Sequence, residues 1–454
     1  MYTACSRWYD TTVNFSVIIG LPSRRMSRLL VTTAAIVASV AADGLPSVIA
    51  VATHAPPVDK YAAGELLRYL QLACPAQNFT LGLPTAAGSI IVGADAALSL
   101  GLPEKKLARL GNESFYAAFY APPFAQSIVL SGGLRSTRGT LYAVYGMLTD
   151  VVGLRFLAHD ETVVPAVCPS HIEPRELIRA PAFEYRDNNQ NQPSTQAGWS
   201  ASVAYNGREE DATHGGHVEY ASPPGFVHTS YNLLAYPHAA GRTPPAAIYA
   251  AHPEWFWPRG PAGGESYGQL CWSNSSLVKF LTTQARRVLQ AQPDATILSV
   301  SQNDNGQQCE DPTEQEVNAR EGSPIGALLL AVNSIAEALE GEFPHVAFDT
   351  LAYQWTRPAP TSALTPRRNV IIRLCSIECD FAHPLTHPNN APFYKDMVDW
   401  SKRSNRTYIW NCARPAPCCT LPFPPAHSTI LREQGGVADS DAACFLPMTS
   451  HDLP

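Results

Sequence analysis

The sequence predicts an α/β chain: a small N-terminal α/β domain followed by a (β/α)8-type barrel that is incomplete at its C-terminal end. Three observations predict it. Short apolar runs alternate with helical patterns between Leu45 and Pro165. Beyond Arg175 further apolar runs recur, each ending in polar or aromatic residues. After Asn411 the chain turns to CARPAPCCT and later to ADSDAACFLPMTSHDLP. The expected organisation is an N-terminal extension and signal over 1–42, the α/β domain over 43–170 and the barrel over 175–454.

Composition narrows the class. Of 454 residues, 45% are apolar and 16% charged, a balance that builds a packed core. The formal net charge of −7 leaves no basic footprint for nucleic acid. The 11 cysteines include no pair of C-x-x-C motifs at metal-ligand spacing. Cys375 and Cys379 have no matching second pair, so disulfide or structural roles come before zinc, and no metal or cofactor is expected. Arg24-Arg25-Met26-Ser27-Arg28 is a basic patch, and Leu29–Ala42 is a short apolar run ending in small residues. That layout is a secretory signal, too short for a membrane span, with cleavage after Ala41 or Ala42. The mature protein is expected to be secreted or to lie in an endomembrane lumen, with no membrane span. Asn-x-Ser/Thr sequons at Asn14, Asn78, Asn112, Asn274 and Asn405 are compatible with that route. Nothing in the pattern sets an oligomeric state.

In chain order, Ser47–Thr53 is β-prone, and Tyr61–Ala73 reads as an amphipathic helix with Asp59 as its N-cap. Ser89–Gly93 and Ser127–Ser131 read as buried strands, and Thr137–Val152 as a second helix. Arg175–Ala182 is a linker candidate. The barrel strands expected next are Phe183–Arg186, then Gly216–Tyr220 or Phe226–Tyr231, then Ile297–Val300, Val346–Tyr353, Asn369–Cys375 and Thr407–Trp410. Their ends carry His217, His228, Tyr353, Glu378, Trp410 and Asn411. Function at strand carboxyl ends is a barrel rule. Aromatics beside amides and carboxylates suit a sugar, whose apolar face stacks on rings while its hydroxyls take hydrogen bonds. Any single Trp among them is more readily a core or rim residue; the set is what indicates a site.

The stretch of most interest is Ile297–Gly326. An apolar strand breaks into Ser301-Gln302-Asn303-Asp304-Asn305-Gly306, and a helical pattern resumes at Ile325. Polar side chains directly off a buried strand are desolvated and need partners, of which a polar ligand is one. The carboxylates that follow, among them Glu310, Asp311, Glu314 and Glu321, read individually as a solvated acidic loop.

On these residues the chain resembles a known family. YAAGELLRYL and RGTLYAVYGMLTDVVGLRFLAHDETVVP are similar to a domain found beside many glycoside hydrolase barrels. GGHVEY, GFVHTSYNLL, HPEWF, QLCWSN, SVSQNDNGQQC, REGSPIGALLLAVNSIAEAL, DTLAYQWTRPAP, NVIIRLCSIECDFAHPL and YIWN resemble the family called domain of unknown function 4838. That family includes the endo-β-N-acetylglucosaminidases of glycoside hydrolase family 163. The resemblance implies hydrolysis next to an N-acetylhexosamine, with the substrate's acetamido group able to act as nucleophile. It implies Glu321 as general acid, desolvated and so raised in pKa, Asp304 as the polarising group and Glu378 as a third acidic candidate. His217, His228, Asn303, Asn305, Tyr353, His383 and Trp410 would line a glycan site. The departures are a single Cys309 after QNDN and an altered tail, in which only Asp439 and Asp441 stand near the family's last acidic strand end. The alternative reading is a catalytically inactive carbohydrate-binding protein on the same fold.

Overall fold

The computed structural model describes residues 42–85, 88–187, 196–207, 211–238, 240, 245–257, 268–411 and 443–445. The signal-like N-terminus, Asn14, and Asp439 and Asp441 lie outside them. The described residues form two compact units, one reaching to Ala182 and taking in Asp211–Gly216, the other holding the rest from Phe183 onward.

The first unit is built on a six-stranded sheet. Its strands are β1 Val48–Val51, β2 Thr80–Gly82, β3 Ser89–Val92, β4 Phe115–Phe119, β5 Ile128–Gly132 and β6 Arg175–Arg179, in the order β6-β4-β5-β3-β1-β2. Helices α1 Pro57–Ala73 and α2 Gly139–Met147 join it. The linker expected at Arg175–Ala182 is corrected: Arg175–Arg179 pairs antiparallel with Phe115–Phe119 as an edge strand. Its charged residues read as a connector, yet charge on an edge strand is how sheets avoid further pairing. Asp59 is also corrected. It lies in the first turn of α1, with Pro56 as N-cap, and burial pushes its carboxyl up to about 6. A Cys74–Cys168 disulfide ties the end of α1 to the segment before β6.

The second unit carries a parallel sheet, β8 Ile297–Ser299, β9 Ala347–Ala352, β10 Val370–Cys375 and β11 Thr407–Trp410, in that order. Tyr220 extends it by a parallel bridge to Ile297. The connections are helical, with α3 Ser275–Ala291 before β8, α4 Pro312–Glu321 and α5 Gly326–Glu340 between β8 and β9, and α6 Ala391–Ser401 before β11. Asn274 caps α3, its Oδ1 accepting from the N–H groups of Ser276 and Leu277. Both sheet faces are buried, which explains the near-continuous apolar runs. Leu298, Phe348, Ile372 and Ile409 pack outward on Val288, Val332, Ile335 and Trp400 from the helices. Tyr220, Ile297, Ala347, Ile371 and Tyr408 gather on the other face, with Tyr185 of strand β7 Tyr185–Asp187.

The unit is therefore a mixed α/β structure with a parallel-strand sheet. Among the described residues the ring of parallel strands is not closed: β7 pairs antiparallel with Ala443–Phe445. The alternative strand at Phe226–Tyr231 is corrected, because Ser230–Ala235 is helical. No single helix among the described residues is long and apolar enough to cross a membrane.

On the inner face one register up lies a fully buried ion pair. Arg373 and Asp349 are both 0% exposed and are paired through Nη2 and Oδ2. Arg373 also donates to the Tyr220 hydroxyl and to the Phe226 carbonyl, each at 2.6 Å. The Tyr220 hydroxyl donates to Asp349 at 3.1 Å. The rings of Tyr220, Phe226 and Trp410 surround the guanidinium at 5.1, 5.5 and 5.7 Å. Breaking a buried pair strands a charge, whereas replacing both partners with apolar groups is often neutral. Arg373→Met is therefore expected to lower unfolding free energy by about 3–5 kcal/mol. Arg373→Met combined with Asp349→Leu is expected to recover most of that loss in denaturant titrations.

Candidate functional site at the strand ends

The polar segment after β8 is buried as its position requires. Ser301 and Gln302 are 0% exposed and Asn303 is 5% exposed. The protein itself supplies partners for these side chains, except that Gln302 Oε1 is buried without one. The Ser301 N–H donates to Thr229 Oγ1 at 3.1 Å, and the Thr229 N–H donates to Ser301 Oγ at 3.2 Å. Gln302 Nε2 donates to Thr356 Oγ1 at 2.7 Å and to the Leu351 carbonyl at 3.3 Å. The Ser230 hydroxyl donates to Asn303 Oδ1 at 2.7 Å. Thus both side-chain polar atoms of Asn303 are engaged within the protein.

Gln269 holds the next turn. Its Oε1 accepts from the Asn303 N–H at 3.0 Å, and its Nε2 donates to the Asn303 carbonyl at 2.9 Å and to Asn305 Oδ1 at 2.8 Å. Asn303 and Asn305 both donate through Nδ2 to the Gly268 carbonyl, at 3.1 and 3.0 Å. Asp304 is pinned on both sides while its own side chain stays 31% exposed. Two further ties hold this loop. A Cys271–Cys309 disulfide crosses it, and Glu314 of α4 accepts the Ser273 N–H at 2.8 Å.

Around Asp304 stand a strand-end phenol and an imidazole from the loop before the helix Ser230–Ala235. The Tyr353 hydroxyl, just past β9, donates to Asp304 Oδ1 at 3.3 Å. His228 Nε2 lies 3.7 Å from the same oxygen. His228 Nδ1 is 2.9 Å from the Gln302 carbonyl, which can only accept, so Nδ1 carries a proton. The backbone of His228 sits at φ +50°, in the left-handed region that β-carbon residues rarely occupy. Such positions cluster at functional sites. Two residues earlier, Phe226 stacks on Trp410 with centroids 5.5 Å apart, both rings half-buried. The segment 226–228 therefore brings an aromatic wall and an imidazole to the same end of the sheet as Asp304.

The remaining expected residues are not joined to this cluster. Glu321 ends α4, where its carboxylate accepts from the Ser362 hydroxyl at 2.5 Å and from Arg320 Nε at 2.8 Å. The raised pKa expected for it is corrected. The Ser362 hydroxyl and Arg320 hold it below the usual carboxylate range. It is covered but shallow, so burial raises its pKa less than those contacts lower it. Glu378 is exposed in the loop after β10 and paired with Arg357 at 2.7 Å. His383 pairs with Asp380 at 2.9 Å and stacks on His387. His217 is paired with Glu219, three residues before the Tyr220–Ile297 bridge. It belongs to the amino end of its strand, opposite Asp304. Gln269, Phe226 and Glu314 were not expected as site residues. QLCWSN and GFVHTSYNLL contain the first two, but only their cross-loop partners show what they do.

Among the described residues no cluster of His, Cys, Asp or Glu is placed to hold a metal ion. What the arrangement offers is a fixed carboxylate, a phenol, an imidazole and an aromatic wall. Those groups can accept a sugar hydroxyl or amide proton, return a proton and stack on a pyranose.

A protein with a parallel α/β sheet and polar strand ends can be placed by comparison. The chain belongs to the family described as domain of unknown function DUF4838, whose model matches residues 156–433. No curated protein matches its sequence. Among solved structures it is similar to a family GH115 4-O-methyl-α-glucuronidase with specificity for decorated arabinogalactans. That likeness has 14% identity and a TM-score of 0.47, over 87% of this chain and 53% of the other. A β-N-acetylhexosaminidase from Bacteroides fragilis is similar at 12% identity and a TM-score of 0.37, over 81% of this chain and 71% of that one. The chain spans about half the length of the first of these, 53%.

Two outcomes test the site's construction. Gln269→Ala leaves the Asn303 N–H buried and unpaired, while its carbonyl keeps the Asn305 N–H at 3.0 Å, an expected loss of about 1–3 kcal/mol. Hydrogen exchange at the Asn303 amide should quicken in the same variant. Glu314 is 3% exposed, and burial pushes its carboxyl up to about 7. A raised carboxyl pKa favours the folded state when protonated. Its contribution is complete below the ordinary value of 4.5 and is lost as pH rises to about 7. Relative to Glu314→Gln, the parent should lose on the order of 3 kcal/mol of stability across that window.

Proposed function

We propose that this protein is a secreted glycoside hydrolase acting on N-acetylhexosamine-containing glycans, with Asp304 as its central carboxylate. The observation that carries the reading is the cluster of Asp304 and Tyr353, at the ends of neighbouring parallel strands, with His228 from a loop, beside the Phe226–Trp410 wall. In a substrate-assisted reaction the acetamido oxygen attacks the anomeric carbon as the glycosidic C1–O bond breaks, and the leaving oxygen takes a proton from a protein acid. Water then attacks C1, reopens the ring and returns that proton, so the protein need not provide a carboxylate nucleophile. Asp304 then accepts the acetamido N–H, and the Tyr353 hydroxyl keeps the carboxylate oriented. The Phe226–Trp410 wall stacks on the apolar face of the sugar. The disulfides Cys74–Cys168 and Cys271–Cys309 support the secretory part, since such bonds persist in oxidising compartments.

A second reading, glycan binding without hydrolysis, is favoured by one observation. Glu321 and Glu378 are committed to Ser362 with Arg320 and to Arg357. The test is a paired measurement of hydrolysis and binding on an N-acetylglucosaminide, with the parent and Asp304→Asn. Hydrolysis by the parent that falls about 10²–10⁴-fold in the variant, with binding retained, supports the enzyme. Binding without turnover in the parent supports the second reading. Neither turnover nor binding in the parent contradicts both.

A further inference from the structure

We propose that Asn78 carries an N-linked glycan that shields the open edge of the N-terminal sheet. The inference rests on the secretory reading and is independent of the strand-end site. Strand β2, Thr80–Gly82, is the edge of the six-stranded sheet and pairs only with β1 among the described residues. Its surroundings are unusually apolar for an edge. Leu81 is 49% exposed, Leu83 65%, and Leu72 in the last turn of α1 55%. An unpaired strand edge flanked by exposed leucines is a template for pairing with another chain. Proteins blunt such edges with charge, proline or a bulge, as β6 does with charge at the opposite edge. The strand is short, 3 residues, and Pro84 follows it, but neither Leu81 nor Gly82 carries charge and the exposed leucines stay uncovered.

What stands there is Asn78-Phe79-Thr80, an N-glycosylation sequon that runs into the strand. Asn78 is exposed, while Phe79 between it and Thr80 is 1% exposed and anchors the turn. The turn is held further by the Cys74–Cys168 disulfide and by Gln77 Nε2 donating to the Leu45 carbonyl at 2.6 Å. A glycan at Asn78 therefore projects from a fixed base two residues from the edge. At Asn112 and Asn274, by contrast, Oδ1 is occupied by backbone N–H donors from Thr137 and from the first turn of α3. The donor is a polyprenyl-diphosphate-linked oligosaccharide of the secretory lumen. The Nδ2–C1 bond forms, the bond from C1 to the diphosphate oxygen breaks, and Nδ2 gives up one proton. The large hydrated sugar excludes a second chain from the edge without contributing a contact of its own.

The experiment expresses the full chain in a secreting eukaryotic host and maps glycopeptides by mass spectrometry. Asn78 is expected to be occupied. Sedimentation of the parent is then compared with the folded parent after enzymatic glycan removal, with Asn78→Gln and with Thr80→Ala, which destroys the sequon but keeps the asparagine. All three are expected to self-associate at concentrations lowered at least about tenfold, the scale of burying exposed leucines. Leu81→Lys with Leu83→Lys should reverse the effect in the Asn78→Gln background. An unmodified Asn78 in protein glycosylated at Asn405 or Asn274 overturns the proposal. So does a deglycosylated protein that sediments as the parent does, and a product with no sequon occupied overturns the secretory reading with it.

Discussion

Ser301, Gln302 and Asn303 are taken out of water by the strand that precedes them, and their polar groups have to be paired. An unpaired buried donor or acceptor costs about 1–3 kcal/mol. The second unit is arranged to avoid most of that cost, leaving only Gln302 Oε1 of these three side chains without a partner. Thr229 and Ser230 come from one loop, Gln269 from another and Thr356 from the turn after β9. The Cys271–Cys309 disulfide and the Glu314–Ser273 contact hold the Gln269 loop in reach. Asp304 is the first residue of this stretch to escape the network. Its backbone is fixed by neighbours tied into the protein, and its carboxylate faces outward to Tyr353 and His228.

This pre-organisation matters for chemistry. A carboxylate on a floppy loop must be ordered when a ligand arrives, whereas this one is already held. The aromatic wall has its own support. Phe226 and Trp410 lie over Arg373, which is held between Asp349, Tyr220 and the Phe226 carbonyl. The positive charge beneath the rings is attracted to their faces. Floor and wall are thus both set by buried groups behind them, Gln269 and Thr356 for one and Asp349 and Arg373 for the other.

Much of the fold was legible in the sequence because two-sided burial writes itself as apolar runs. The runs at Val346–Tyr353, Asn369–Cys375 and Thr407–Trp410 became β9, β10 and β11 within a residue or so. Arg175–Arg179 was not legible, because an edge strand needs no apolar pattern. The polar break after β8 was legible as a place that demands partners, but those partners are the protein's own side chains. His217 was placed at the wrong end, since strand direction and register decide which end of a sheet a residue reaches. Glu321 was misjudged because its governing partner, Ser362, is 41 residues away in sequence. Gln269 was visible only as a letter in a motif. Its role depends on a loop meeting another loop, which periodicity does not report.

The central claim is that glycan recognition happens over Asp304, on a loop already rigid without ligand. Hydrogen–deuterium exchange with and without an N-acetylglucosamine oligomer tests it most directly. In the free protein the amides of Ser301 and Asn303 should exchange slowly. With the oligomer, added protection should centre on residues 304–307, 353–356 and 226–229. Fast exchange at Asn303 in the free protein, or protection centred on the His383–Asn390 loop with none at Asp304, would contradict the account.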